Sequence, residues 1–162
     1  MSQAQKKTSV LFVCMGNVCR SPTAEGVFRK LVSDAGLADL IQADSAGTHA
    51  YHIGEPPDRR AIAAASRRGF SLEGIAARRV NTTDFETFDY ILAMDQDNLR
   101  ALHESADDEF HGKVRLFLEY AGSSPGNEVP DPYYGGAAGF ERVLDLVEDA
   151  SRALLESLRK DL

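Results

Sequence analysis

The sequence predicts an α/β fold built around a parallel sheet. Short apolar runs alternate along the chain with stretches of helical periodicity. The first run, Ser9 to Cys14, reads Ser-Val-Leu-Phe-Val-Cys, the near-continuous apolar pattern of a strand covered on both faces. The chain has 162 residues, 43% hydrophobic and 27% charged. That suits one globular domain over residues 1–162, large enough to bury a core without disulfides or metal.

The elements follow in order. After the Ser9–Cys14 strand, Ser21-Pro22 opens a helix, with Ser as N-cap and Pro at the first helical position. Val27, Phe28, Leu31 and Val32 form its inner face, and Gly36 ends it. Ile41 to Ala46 is a second strand. Gly54-Glu55-Pro56-Pro57-Asp58 is a turn; a helix follows through Arg67 and stops at Gly69-Phe70. Thr82 to Phe88 is a short helix, Tyr90 to Met94 a third strand, Asp97 to Glu104 a helix and Val114 to Phe117 a fourth strand. Ala121 to Gly136, rich in Gly, Pro and Ser, reads as surface loop. Phe140, Val143, Leu144, Val147, Ala150, Leu154 and Leu158 recur at helical spacing, so Phe140 to Leu158 is a long amphipathic helix.

Composition narrows the function. Eighteen basic against twenty-five acidic residues give a net charge of −7, which argues against a nucleic-acid partner. No apolar run approaches membrane-spanning length, and Val10 to Val13 is too short for a signal-peptide core, so a cytoplasmic protein without a membrane partner is expected. The only two cysteines, Cys14 and Cys19, make neither a disulfide framework nor a zinc site. His103 and His111 add no recognisable ligand spacing.

The chemistry lies between the first strand and the first helix, at Cys14-Met15-Gly16-Asn17-Val18-Cys19-Arg20-Ser21. In parallel sheets, ligands bind beyond the carboxyl ends of strands. A loop running from such an end into a helix N-terminus aims successive N–H groups at one anion. Gly16 and Asn17 tolerate the left-handed backbone of a tight loop. Cys14 at the rim should be a thiolate near neutral pH, and Arg20 offers a planar fork to two phosphate oxygens. Ser21 can donate its hydroxyl to the thiolate. A nucleophile and an oxyanion cradle thus share one loop. The Gly-x4-Gly-Lys nucleotide pattern is absent, and the loop suits a single phosphoryl group.

The stretch Val10 to Glu25 resembles the signature of the low molecular weight protein tyrosine phosphatases. Asp131-Pro132-Tyr133-Tyr134-Gly135 resembles that family's second signature. Asp44 to Thr48, Gly54 to Asp58 and Phe88 to Asp95 resemble family segments in the expected order. The resemblance implies a four-stranded parallel sheet flanked by helices on both faces, with no metal or cofactor. It implies Cys14 as nucleophile, Arg20 as phosphate clamp and Asp131 as general acid. Met15, Gly16, Asn17, Val18, Cys19 and Ser21 would form the substrate loop, with Asn17 and Ser21 shaping it and tuning the thiolate. Tyr51, Tyr133 and Tyr134 would border the pocket. Partners would be phosphotyrosine-containing proteins, with inorganic phosphate as product and the protein a monomer or weak dimer. One departure stands out: some members carry a histidine, bonded to the loop asparagine, where this chain has Ile75. Other support for Asn17 is then expected, with Ser45 the candidate.

The reaction would be in-line attack giving a phosphocysteine, with Asp131 protonating the leaving phenolate and later accepting a proton from water. On the residues alone, Asp131 between Pro130 and Pro132 is equally a solvated turn aspartate; the resemblance favours the acid. An acid protonated while Cys14 is ionised predicts an optimum below neutral. Tyr51 and Tyr133 are pocket walls or ordinary tyrosines. Related phosphoarginine enzymes place Thr where Val18 stands, so Val18 favours an aromatic ring. Cys19 either captures oxidised Cys14 as a reversible disulfide or packs beneath the loop. Phosphorylation of Tyr133 or Tyr134 is a further regulatory possibility by resemblance. Two rivals remain. An arsenate reductase needs further cysteines, which are lacking after Cys19. A non-catalytic phosphotyrosine reader or redox sensor should lack the nucleophile or the acid.

Overall fold

The computed structural model describes residues 7–49, 51–121, 127–132 and 136–162. Among these, four strands form one parallel sheet in the order β2-β1-β3-β4. They are β1 (Thr8–Cys14), β2 (Ile41–Gly47), β3 (Tyr90–Ala93) and β4 (Val114–Leu116). The helices are α1 (Arg20–Asp34), α2 (Arg59–Arg67), α3 (Thr82–Thr87), α4 (Gln96–Ser105) and α5 (Ala137–Arg159).

Side-chain alternation along the strands splits the core into two layers. Val10, Phe12 and Leu92 face α1, α2 and α5, while Leu11, Val13, Ile91 and Ala93 face α3 and α4. Phe12 is fully buried and meets Phe28 and Phe117 edge to face, with centroids 5.7 and 5.0 Å away. Every apolar position read as the inner face of the last helix, from Phe140 to Leu158, is buried. That helix begins three residues earlier than its periodicity indicates, at Ala137. Among the described residues, no helix is long and apolar enough to cross a membrane.

The chain goes from β1 outward to β2, then returns across β1 to β3. This places the topological switch point between the carboxyl ends of β1 and β3, where open α/β sheets bind ligands. Cys14 ends β1, and Met94-Asp95 follows β3. Gly47, at the end of β2, lies against the loop: a Cβ there would sit 2.8 Å from the Met15 carbonyl oxygen.

Three sequence expectations need correction. The helix expected to be capped by Ser21 starts at Arg20, with Cys19 at the cap and no side-chain capping bond. The Ser21 hydroxyl is engaged elsewhere, by Cys14 and Asn17. Pro22 falls within the first turn, where its missing N–H leaves no helical bond unmade. Gly16 does not have positive φ; Asn17 carries the left-handed step, at φ 59°. Nor is the 121–136 segment wholly surface. Val129 is fully buried, and its N–H donates to the Met94 carbonyl over 2.7 Å.

Candidate active site

The loop leaving β1 closes against the end of β2 and the start of α2. Thr48 N–H donates to the Cys14 carbonyl, and His49 N–H to the Met15 carbonyl. On the far side, Asp58 N–H donates to the Val18 carbonyl, joining the start of α2 to the loop. These backbone bonds hold both flanks of the loop.

A cleft of about 460 Å³ opens above it, lined by Cys14, Met15, Gly16, Val18, Cys19, Arg20, Tyr51, His52 and Asp131. Cys14 is 3% exposed. Its Sγ lies 2.9 Å from Ser21 Oγ and accepts from Asn17 N–H at 3.3 Å. Both thiols are free. Burial, followed by the charges of Asp58 and Cys14, pushes the Cys19 thiol up to about 12. Cys19 is therefore protonated at neutral pH while Cys14 is reduced.

Arg20 is buried to 3% exposure and held from behind. Its Nη1 donates to Asp95 Oδ2 at 2.6 Å and to the Val129 carbonyl at 3.1 Å, while Nη2 lies 3.7 Å from Asp131 Oδ2. Burial works against its charge, but Cys14, Asp95 and Asp131 outweigh that and hold the guanidinium above its ordinary range. Arg20 thus stays cationic and oriented.

Asn17 and Ser21 lie at 1% and 0% exposure, behind the loop rather than on the cleft wall. Asn17 Nδ2 donates to Ser21 Oγ at 2.9 Å and to Ser45 Oγ at 3.0 Å, and its Oδ1 accepts from Arg78 N–H at 3.0 Å. Ile75 is buried apolar core, and Asn17 takes its support from Ser45 and the Arg78 backbone instead. Tyr51 is exposed at the mouth and stacks on His49 with rings 5° from parallel. Tyr133 and Tyr134 lie outside the described residues. Two further residues were not anticipated as part of the site. Asp95, on the strand end next to Cys14, could have been found from its place after an apolar strand; His52 carries no such signal.

Together, fold and site define a doubly wound α/β protein with a cysteine and an arginine held in a strand–loop–helix anion cradle. The sequence profile described as "Low molecular weight phosphotyrosine protein phosphatase" matches residues 9–162, and the chain belongs to that family, whose members are hydrolases. It is 47% identical over 156 residues to the low molecular weight protein-tyrosine-phosphatase of Streptomyces coelicolor, covering 94% of each chain. It is 44% identical over 155 residues to the low molecular weight phosphotyrosine protein phosphatase of Homo sapiens, covering 94% of this chain and 96% of that one. The crystal structure of YfkJ from Bacillus subtilis superposes with a TM-score of 0.91 at 41% identity, covering 98% of this chain and 99% of that one.

Proposed function

We propose that this chain hydrolyses phosphotyrosine monoesters in proteins through a phosphocysteine intermediate, without a metal. The observation that carries the reading is Cys14 and Arg20 opening onto one cleft with Asp131 beside them. Cys14 Sγ attacks phosphorus in line, and the P–O bond to tyrosine breaks. Arg20 and the loop N–H groups take the charge on the equatorial oxygens. Asp131 gives its proton to the departing phenolate. In the second step Asp131 takes a proton from water, the water oxygen bonds to phosphorus, and the P–S bond breaks to release inorganic phosphate and the thiolate.

Val18 and Tyr51 on the cleft wall suit the flat phenyl ring, and the burial of Cys14 at 3% exposure disfavours the shorter phosphoserine. Phosphotyrosine proteins are therefore the proposed partners, and a single domain spanning 1–162 the functional unit. The test is hydrolysis of phosphotyrosine, phosphoserine and phosphoarginine peptides by wild type and Cys14→Ser, with chelator present. Turnover of the phosphotyrosine peptide alone, lost in the variant, is expected. Preferential phosphoarginine turnover would contradict the substrate class, and chelator sensitivity would contradict the metal-free mechanism.

A further inference from the structure

A buried carboxylate outside the cleft ends a hydrogen-bond chain that starts at the nucleophile. Glu25 lies on α1 at 2% exposure. Its Oε1 accepts from Ser45 Oγ at 2.6 Å, and its Oε2 lies 2.6 Å from Arg29 Nη2. The direction of every bond in the chain can be worked out. Arg78 N–H can only donate, so the amide oxygen of Asn17 must face it. Asn17 Nδ2 then donates to both Ser21 and Ser45. Each serine has one proton left. Ser45 gives its proton to Glu25, and Ser21 gives its own to Cys14 Sγ at 2.9 Å rather than to the Ala46 carbonyl at 3.5 Å.

We infer that Glu25 is a positioning residue that, together with the Arg78 N–H, holds the polarity of this chain and so keeps the Ser21 proton on the Cys14 thiolate. The inference rests on the reading of Cys14 as nucleophile. Without an acceptor at Glu25, the Ser45 hydroxyl would turn toward Asn17, where donor would meet donor. That clash opposes the Arg78 N–H bond, and an Asn17 amide that gives up that bond and reverses draws the Ser21 proton away from sulfur. Burial pushes the Glu25 carboxyl up, and the Ser45 hydroxyl and the Arg29 charge oppose it. Asp44 from β2 and Arg78 from the segment before α3 also act on Glu25. Cys19, Arg20, His52 and Asp131 line the cleft with Cys14, and Asp95 and Asp131 lie against Arg20.

Substituting Glu25→Gln separates the possibilities. The new side-chain amide turns its NH₂ group toward Ser45 to leave its oxygen for Arg29, which removes the acceptor while nearly preserving shape. The readout is the pH midpoint of Cys14 alkylation by iodoacetamide, followed by mass spectrometry of the Cys14 peptide. The chain of bonds predicts a midpoint raised by about one pH unit. It also predicts kcat toward a phosphotyrosine peptide lowered about tenfold, with KM changed less than about twofold. A role through charge alone predicts the opposite shift, because removing a nearby negative charge favours the thiolate. A role in packing alone leaves the midpoint unmoved. Either result would overturn the inference.

Should Glu25→Gln fail to fold, Glu25→Leu carries the same test, because it also removes the acceptor of the Ser45 proton with a side chain suited to a buried site, and it should raise the midpoint alike. An unmoved midpoint in Glu25→Leu contradicts the proposal. In Ser45→Ala, which has no hydroxyl to turn, adding Glu25→Gln should shift the midpoint no further. Alkylation is read without substrate, so a wild type that turns over no phosphopeptide counts against the proposed function and is scored separately.

Discussion

Arg20 keeps its charge at 3% exposure because Asp95, the Val129 carbonyl and Asp131 surround it. Few arginines are this deeply buried, and those that are need such partners. Cys14 and Arg20 could be read from the sequence because one loop carries both, between a recognisable strand and helix. Val129 could not, because it reaches the site from a segment whose placement only the folded sheet decides, and neither could the role of Glu25, whose link to the loop runs through Ser45 on β2. Asp131 was ambiguous for the same reason: its meaning depends on facing Arg20. If Asp131 is the acid, Asp131→Asn should lower kcat on phosphotyrosine peptides by about 10²–10⁴-fold. The loss should be much smaller on p-nitrophenyl phosphate, whose leaving group needs little protonation. Equal loss on both, in steady-state kinetics, would contradict the role.

The elements came through clearly where apolar periodicity set them and less clearly where side chains were recruited to the site. β1 and α5 follow their patterns within a few residues. The start of α1 does not, because Ser21 serves sulfur instead of the helix end. The start of α2 is simpler. Asp58 caps it by accepting from Arg60 N–H at 2.8 Å. The Arg60 side chain, against burial, holds the Asp58 carboxyl below its ordinary range. A depressed carboxyl contributes stability above its unfolded value and loses it as pH falls through the folded one. Asp58→Asn keeps the cap but not the charge, so it should cost up to about 1 kcal/mol near neutral pH. In urea unfolding, the gap to wild type should close once the pH drops below the ordinary carboxylate range. A gap that widens on acidification would contradict the assignment.

Across the whole molecule, the sheet order places the cleft and the two-layer core fixes the sheet. Strand β1 carries both tasks: its apolar side chains fill both layers and its last residue is Cys14. Phe12 is the clearest case, buried between Phe28 and Phe117 two positions before Cys14. Phe12→Ala should destabilise the fold by about 3–5 kcal/mol, as measured by chemical denaturation; a loss under about 1 kcal/mol would mean the core does not depend on it.

The central claim is that the Cys14 sulfur carries the phosphoryl group in the course of turnover. The most direct measurement is rapid acid quench of the Asp131→Asn variant reacting with p-nitrophenyl phosphate, followed by mass spectrometry of the peptide containing Cys14. The activated leaving group lets the first step proceed while the missing base slows the second, so a phosphate adduct should accumulate on Cys14 and be absent from Cys14→Ser. Release of p-nitrophenol during turnover with no adduct on Cys14 at any quench time would contradict it.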